Sequence, residues 1–143
     1  MGRVLVIEDE YPIRLIIRKV LEEAEYKVTE AEDGLEGLNT LRQQREAFSL
    51  IILDIHMPKM NGFEFLYRLR RQERSLTPVL VLSAHPNSFE RAQQLGADGQ
   101  LVKPFDRKQL TDMVKRLADD SAPTPTPALW KLFVEQQKPD DPE

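Results

Sequence analysis

Polar side chains that could do chemistry stand directly after four short apolar runs of the chain. In chain order they are Glu8 and Asp9, Asp54, Ser83 and Lys103. Carboxylates held close together repel one another unless a cation joins them, and Mg²⁺ prefers such hard oxygen ligands. A carboxylate can also attack phosphorus, and the transferred phosphoryl oxygens are then neutralised by metal, lysine and hydroxyl groups. The set therefore indicates phosphoryl transfer to a carboxylate beside a bound magnesium ion.

Short strands must carry these residues to one place. The four apolar runs at 4–7, 50–53, 79–82 and 99–102 are rich in branched residues, which is typical of parallel strands buried on both faces. A fifth, amphipathic candidate at 27–31 suits a strand nearer the sheet edge. The carboxyl ends of parallel strands meet at one edge, where ligands bind in open α/β sheets.

Segments with helical spacing separate the strands. Apolar stripes begin at Ile13, Leu35, Phe63, Phe89 and Leu110, and Pro12 stands where a first helical turn accepts proline. Five strand–helix units in succession predict an α/β fold with a doubly wound, five-stranded parallel sheet and helices on both faces.

Four segments of this chain closely resemble the receiver domain of bacterial response regulators. They are Val-Leu-Val-Ile-Glu8-Asp9, Leu-Ile-Ile-Leu-Asp54-Ile-His-Met-Pro58-Lys-Met-Asn-Gly62, Val-Leu-Val-Leu-Ser83-Ala84 and Leu-Val-Lys103-Pro104-Phe105. The resemblance covers about residues 3–118. The receiver domain family includes the chemotaxis regulators of two-component systems. The resemblance implies the flavodoxin-like strand order 2-1-3-4-5.

The resemblance also implies a role for each site residue. Asp54 is expected to accept a phosphoryl group from a sensor histidine kinase or phosphotransfer protein. Glu8, Asp9, Asp54 and the backbone carbonyl of His56 are expected to hold Mg²⁺. Lys103 would pair with the phosphoryl oxygens, Ser83 would supply the switch hydroxyl, and the Lys103–Pro104 bond would be cis.

Such a domain is a signalling module that catalyses only its own phosphorylation and dephosphorylation. Two alternatives remain: a receiver-like scaffold that takes no phosphate, and an aspartate-nucleophile phosphatase of the haloacid dehalogenase type. The phosphatase pattern requires a second acid two residues after the nucleophile, where this chain has His56. The intact acids, hydroxyl and lysine argue against the scaffold.

One position departs from the family pattern. Gln100 stands three residues before Lys103, where many receiver domains carry a tyrosine or phenylalanine that turns inward with the switch hydroxyl. We expect signalling of altered amplitude at the face formed by the fourth helix, fifth strand and fifth helix. That face is also the expected surface for a homodimer, with a downstream protein or an output domain outside this sequence as the further partner.

Two further groups of residues carry open alternatives. His56 and His85, the chain's two histidines, are either exposed loop residues or flank the phosphoryl group and tune its hydrolysis. The arginines near the third helix are either a solvated face or a contact for nucleic acid or an acidic partner; they are Arg68, Arg70, Arg71 and Arg74.

Composition excludes several classes of protein. The chain of 143 residues contains no cysteine, which rules out disulfides, thiolate catalysis and cysteine-based zinc sites. It has no apolar run long enough for a membrane span and no signal-peptide pattern, so we expect a cytoplasmic protein without membrane contact. The acidic balance gives no sign of direct nucleic-acid binding.

The charge is unevenly distributed. Residues 1–118 contain 18 basic and 18 acidic side chains, whereas residues 119–143 contain 2 and 6. We therefore expect a receiver domain at 1–120, a proline-rich linker at 121–127, and a short amphipathic segment with an acidic disordered end at 128–143. The apolar segment should dock on the receiver body or on a partner; a frayed tail and the start of a further domain are the alternatives.

Overall fold

Five parallel strands form a single sheet in the computed structural model, which describes residues 2–44 and 47–119. Numbered along the chain, the strands lie in the order 2-1-3-4-5, as the family resemblance implied. The strands are β1 (Arg3–Ile7), β2 (Lys27–Ala31), β3 (Leu50–Asp54), β4 (Val79–Ser83) and β5 (Gly99–Val102). Each strand coincides with one of the five runs that the sequence analysis identified as candidate strands.

Five helices connect and flank the strands. They are α1 (Tyr11–Glu23), α2 (Gly34–Gln43), α3 (Gly62–Tyr67), α4 (Ser88–Gln94) and α5 (Arg107–Val114). The α3 helix continues with π-helical bonding through Arg68–Gln72, and α5 continues in the same way through Lys115–Asp119.

Local sequence accounts for most helix starts. Pro12 occupies the first turn of α1, where its missing N–H has no helical partner to lose. The side chains of Asp33 and Asn61 accept hydrogen bonds from the first-turn N–H groups of α2 and α3. Asp106 and Gln109 form a reciprocal capping box at the start of α5.

Alternation along the strands creates two core layers, one on each face of the sheet. Leu5 and Ile7 of β1 point into a cluster with α2, α3 and α4, which contains Phe65. Val4 and Val6 point into the opposite cluster, with α1 and α5. All residues of β3 and β4 are buried, as expected of central parallel strands.

The register of the sheet brings the polar strand ends to one edge. Ile7 pairs with Leu53, Asp54 pairs with Leu82, and Ser83 pairs with Val102. The residues after these positions therefore emerge at nearly the same height. In the described part of the chain, no helix combines the length and the apolar character that a membrane crossing requires.

Arg70 contradicts the interpretation of the arginine cluster as a solvated face. Its side chain is only 2% exposed, and its guanidinium donates to the carbonyls of Ser75, Thr77 and Gly96 at 2.7–3.2 Å. It also forms an ion pair with Asp98 at 3.2 Å. The π-helical turn places Arg70 against two loops at the amino ends of strands, which charge patterning in the sequence does not reveal.

The expected boundaries at 120, 121–127 and 128–143 lie almost wholly outside the described residues. They therefore remain predictions, together with the proposed docking of the apolar segment. Asp119 is the last described residue, and its carboxylate accepts a hydrogen bond of 2.6 Å from the Tyr26 hydroxyl.

Candidate functional site

Three carboxylates from two strand ends converge at the carboxyl edge of the sheet. One carboxylate oxygen from each of Glu8, Asp9 and Asp54 lies within 4.8 Å of the others. Glu8 and Asp54 are buried, at 0% and 3% exposure, whereas Asp9 reaches solvent. The structure thus brings together the three acids that the sequence nominated.

Lys103 reaches the same acids from the end of β5. Its Nζ lies 3.1 Å from Glu8 Oε1 and 3.4 Å from Asp54 Oδ1. The Lys103–Pro104 peptide bond is cis, as the resemblance implied. One ammonium group is therefore shared between two buried carboxylates from β1 and β3.

Burial and charge interactions shift the pKa values of Glu8, Asp54 and Lys103. Burial, reinforced by the charge of Asp54, raises the pKa of Glu8 to about 7. Burial also raises the pKa of Asp54, although Lys103 partly offsets the effect. Burial alone would lower the pKa of Lys103, but attraction by Asp54 and Glu8 outweighs it and raises that pKa. The cluster is short of positive charge.

The loop after β3 is tied closely to the site. The His56 N–H donates a long hydrogen bond of 3.4 Å to Asp54 Oδ1, and the Gly62 N–H donates to the Ile55 carbonyl at 2.8 Å. A Cβ added at Gly62 would lie 2.7 Å from Ile55 Cα and 3.0 Å from the Asp54 carbonyl oxygen. Glycine is therefore required at the start of α3 for this close approach.

Ser83 lies at the end of β4 and is fully buried. Its Oγ accepts a hydrogen bond of 2.9 Å from the His85 N–H and donates to the His85 carbonyl at 3.0 Å. The hydroxyl thus fastens the β4–α4 turn in this conformation, rather than contacting the carboxylates.

Arg14 supports the site, although the sequence analysis did not identify it. Its Nη1 donates to the Glu8 carbonyl at 2.6 Å, while its Nε pairs with Glu30 of β2 at 2.8 Å. The side chain therefore fixes the backbone of the acidic pair from α1. One feature of the sequence could have identified it. Arg14 stands about one turn after the predicted start of α1, within reach of the carboxyl end of β1.

Gln100 occupies a half-buried position on β5, beside Val81 of β4. Its buried side-chain oxygen has no hydrogen-bond partner among the described residues. A buried acceptor without a donor costs free energy, so this position is unfavourable in the conformation observed.

The family model for the response regulator receiver domain matches residues 4–115 of this chain. The chain belongs to the receiver domain family. A curated relative, the transcriptional activator protein IrlR of Burkholderia pseudomallei, is 39% identical over 117 residues, which cover 80% of this chain and 49% of IrlR. The receiver chain thus spans about half the length of that relative.

Solved structures agree with the family assignment. The chemotaxis response regulator CheY4 of Vibrio cholerae has a TM-score of 0.75 and 37% identity, covering 82% of this chain and 98% of CheY4. The response regulator TrrA of Thermotoga maritima, solved in complex with Mg²⁺-BeF, has a TM-score of 0.73 and 32% identity, covering 82% and 99%. The flavodoxin-like fold and the two-component signalling class predicted from the sequence are therefore confirmed.

Proposed function

We propose that Asp54 is the phosphoacceptor of this receiver domain. The observation that carries the proposal is the convergence of Glu8, Asp9, Asp54 and Lys103 at the carboxyl edge of the sheet, with Lys103 3.4 Å from Asp54. Asp54 is anchored in the last position of a fully buried strand, so its carboxylate is held in a fixed direction. Family membership supports the same chemistry.

In the proposed reaction, an Asp54 carboxylate oxygen attacks the phosphorus of a phosphohistidine on a sensor kinase or phosphotransfer protein. A P–O bond to Asp54 forms as the P–N bond breaks, and the electron pair leaves with the donor imidazole. After the transfer, the Lys103 ammonium would contact a phosphoryl oxygen instead of the Asp54 carboxylate. Hydrolysis by water later restores Asp54 and releases phosphate.

The residues present fit a magnesium ion. Glu8, Asp9 and Asp54 provide hard oxygen ligands, and Lys103 alone leaves their negative charge incompletely balanced. The His56 carbonyl is the proposed fourth protein ligand. Bound Mg²⁺ would neutralise charge on the phosphoryl oxygens and favour their approach to the carboxylates.

Regulation would depend on rearrangement of the β4–α4 turn. The Ser83 hydroxyl now bonds to the backbone of His85, and we propose that it exchanges these bonds for a phosphoryl oxygen. The turn would then shift and change the surface of α4, β5 and α5. That surface is the proposed contact for a second copy or a downstream partner, and the expected location of the protein is the cytoplasm.

Incubation with acetyl phosphate and Mg²⁺, followed by intact-mass spectrometry, tests the proposal. We expect one added phosphoryl group in the wild type and none in Asp54→Asn. A matched control is Asp112→Asn, because Asp112 lies on the exposed side of α5 in an ion pair with Lys108. The control should take up phosphate at the wild-type rate.

Two outcomes would overturn the proposal. A wild-type protein without an adduct, folded and given Mg²⁺, would favour the receiver-like scaffold. Rapid turnover of external phosphate esters would favour the phosphatase, although the family match supports neither alternative.

A further inference from the structure

The tertiary structure brings the two histidines of the chain into contact. His56 lies in the loop after β3 and His85 in the turn after β4, and both side chains are exposed. Their ring centroids are 5.2 Å apart, with the ring planes at 89°. Residues 29 positions apart in sequence thus form one imidazole pair at the mouth of the acidic site.

This spacing matches that of two imidazoles on one metal ion. With a Zn–N distance of about 2.0–2.1 Å and tetrahedral angles, two zinc-bound imidazole rings have centroids about 5 Å apart. Small rotations of two exposed rings would bring one nitrogen of each to a shared ion. No movement of the sheet is needed.

The backbones that carry both rings are already held in place. The His56 N–H donates to Asp54 Oδ1, and the His85 N–H donates to Ser83 Oγ at 2.9 Å. Loops that are fixed before binding lose less conformational entropy when a ligand joins them. The pair is therefore better prepared for chelation than two histidines on free loops.

The two sites offer different ligand chemistry. Glu8, Asp9 and Asp54 provide carboxylate oxygens, which a magnesium ion would occupy, whereas the histidine pair provides imidazole nitrogens. Imidazole suits zinc, whereas the carboxylates beneath suit magnesium. The two kinds of ligand would thus separate the two metals.

We propose that His56 and His85 form a zinc-binding site at the mouth of the phosphoacceptor pocket, with water completing the coordination. The site is distinct from the three carboxylates, and its protein ligands are side-chain nitrogens. It would give this receiver domain a second ionic input beside its phosphoryl group.

Zinc titration of tag-free, ¹⁵N-labelled protein in saturating Mg²⁺ tests the proposal. Long-range proton–nitrogen NMR spectra contain only two imidazole systems, because the chain has two histidines. We expect nitrogen signals of both rings to shift together over one concentration range. The variants His56→Gln and His85→Gln should each weaken binding by about tenfold or more, since each removes one of two protein ligands.

Asn87→Ala is the matched control, because Asn87 lies in the same loop and its side chain makes no capping bond to α4. It should bind zinc as the wild type does. The proposal fails if either ring remains unshifted in saturating Mg²⁺, or if His56→Gln or His85→Gln retains the wild-type affinity. Phosphoryl uptake by Asp54 is measured separately without zinc, so failure here leaves that proposal standing.

Discussion

Glu8 and Asp54 compete for a single ammonium group inside the sheet edge. Lys103 contacts both carboxylates, and Asp9 adds a third negative charge nearby. A buried carboxylate with too little positive charge around it binds a proton more tightly than it would in water. Protons and divalent cations therefore compete at this site.

Magnesium affinity should fall as the solution is acidified below pH 7. Burial and Asp54 raise the pKa of Glu8 to about 7 in the metal-free protein, so a proton must leave before the metal binds. We expect affinity to decrease by up to about tenfold per pH unit between pH 7 and 5. Isothermal titration across this range measures it, and Glu8→Gln should show a shallower dependence.

The same raised pKa predicts the sign of the stability change in the metal-free protein. Between pH 4.5 and 7 the folded chain holds a proton on Glu8 that the unfolded chain releases. This group therefore stabilises the fold at low pH, and its contribution is lost as the pH rises through 7. Equal slopes for wild type and Glu8→Gln in urea titrations at several pH values would contradict this assignment.

Gln100 leads to a prediction about stability. Because its buried oxygen lacks a hydrogen-bond partner among the described residues, Gln100→Met should raise the free energy of unfolding by about 1–2 kcal/mol. The control Gln94→Met changes an exposed residue of α4 and should alter stability by less than about 0.5 kcal/mol. Urea denaturation compares both with the wild type; a loss of stability in Gln100→Met would show that the amide is satisfied in solution.

The β3–α3 connection illustrates how an element positions the site. Gly62 begins α3 directly against Ile55, and its N–H bonds to the Ile55 carbonyl. Any side chain at this position must move the backbone that follows Asp54. The loop after Asp54 can therefore keep this position only while residue 62 carries no side chain.

Gly62→Ala should therefore slow phosphoryl uptake and cost about 1–3 kcal/mol of stability, since the new Cβ overlaps backbone atoms. Gly34→Ala is the control, because its Cβ would meet the flexible Met60 side chain at 2.9 Å. Phosphorylation rates and urea midpoints for both variants test the comparison. Equal effects of the two substitutions would mean that the close approach at Ile55 is relaxed in solution.

Arg70 joins the π-helical end of α3 to the loops before β4 and β5. Its partners include the carbonyls of Ser75, Thr77 and Gly96, and the carboxylate of Asp98. Burial lowers the pKa of Arg70 to about 10. Burial also raises the pKa of Asp98, although the hydrogen bond from the Val79 N–H and the charge of Arg70 partly offset this effect. Desolvation is costly for both partners, so the pair is stabilising only while it is complete.

Arg70→Ala should cost about 3–5 kcal/mol, because it leaves Asp98 buried without its charge partner. Arg68→Ala removes a half-exposed pair with Glu64 and should cost less than about 1 kcal/mol. Urea denaturation of the two variants measures the difference. A small loss in Arg70→Ala would mean that water replaces the guanidinium.

At the scale of the whole molecule, the charges of the site lower the stability of the metal-free fold. Three carboxylates near one lysine repel one another in the metal-free protein, while two apolar layers on a shared sheet hold the strand ends together. Functional sites often carry such a cost, which the remainder of the fold offsets.

Asp54→Asn should consequently stabilise the metal-free protein by about 1–2 kcal/mol, because it removes a buried charge while preserving side-chain shape. The gain should shrink when Mg²⁺ is added, since the metal binds the wild type better. Urea denaturation in EDTA and in Mg²⁺ measures both, with Asp112→Asn as the exposed control. A variant less stable than the wild type in EDTA would refute the charge repulsion argued here.

Much of the fold could be predicted because parallel strands leave a strong local signal. Buried runs at 4–7, 50–53 and 79–82 became β1, β3 and β4, and each was followed by the polar residue expected to act. The rule that such ends meet at one edge then placed Glu8, Asp54 and Lys103 together. The strand order itself followed from family resemblance rather than from local pattern.

Other features depended on contacts between distant segments, which no local pattern encodes. The sequence by itself determined the five strand–helix units and the residue types at their carboxyl ends, because hydrophobic periodicity and turn chemistry are local. Only the tertiary structure decided that Arg70 is buried, that Arg14 pairs with Glu30 of β2, and that His56 meets His85. Burial and pairing at these positions arise from how the loops pack, and packing is a property of the whole chain.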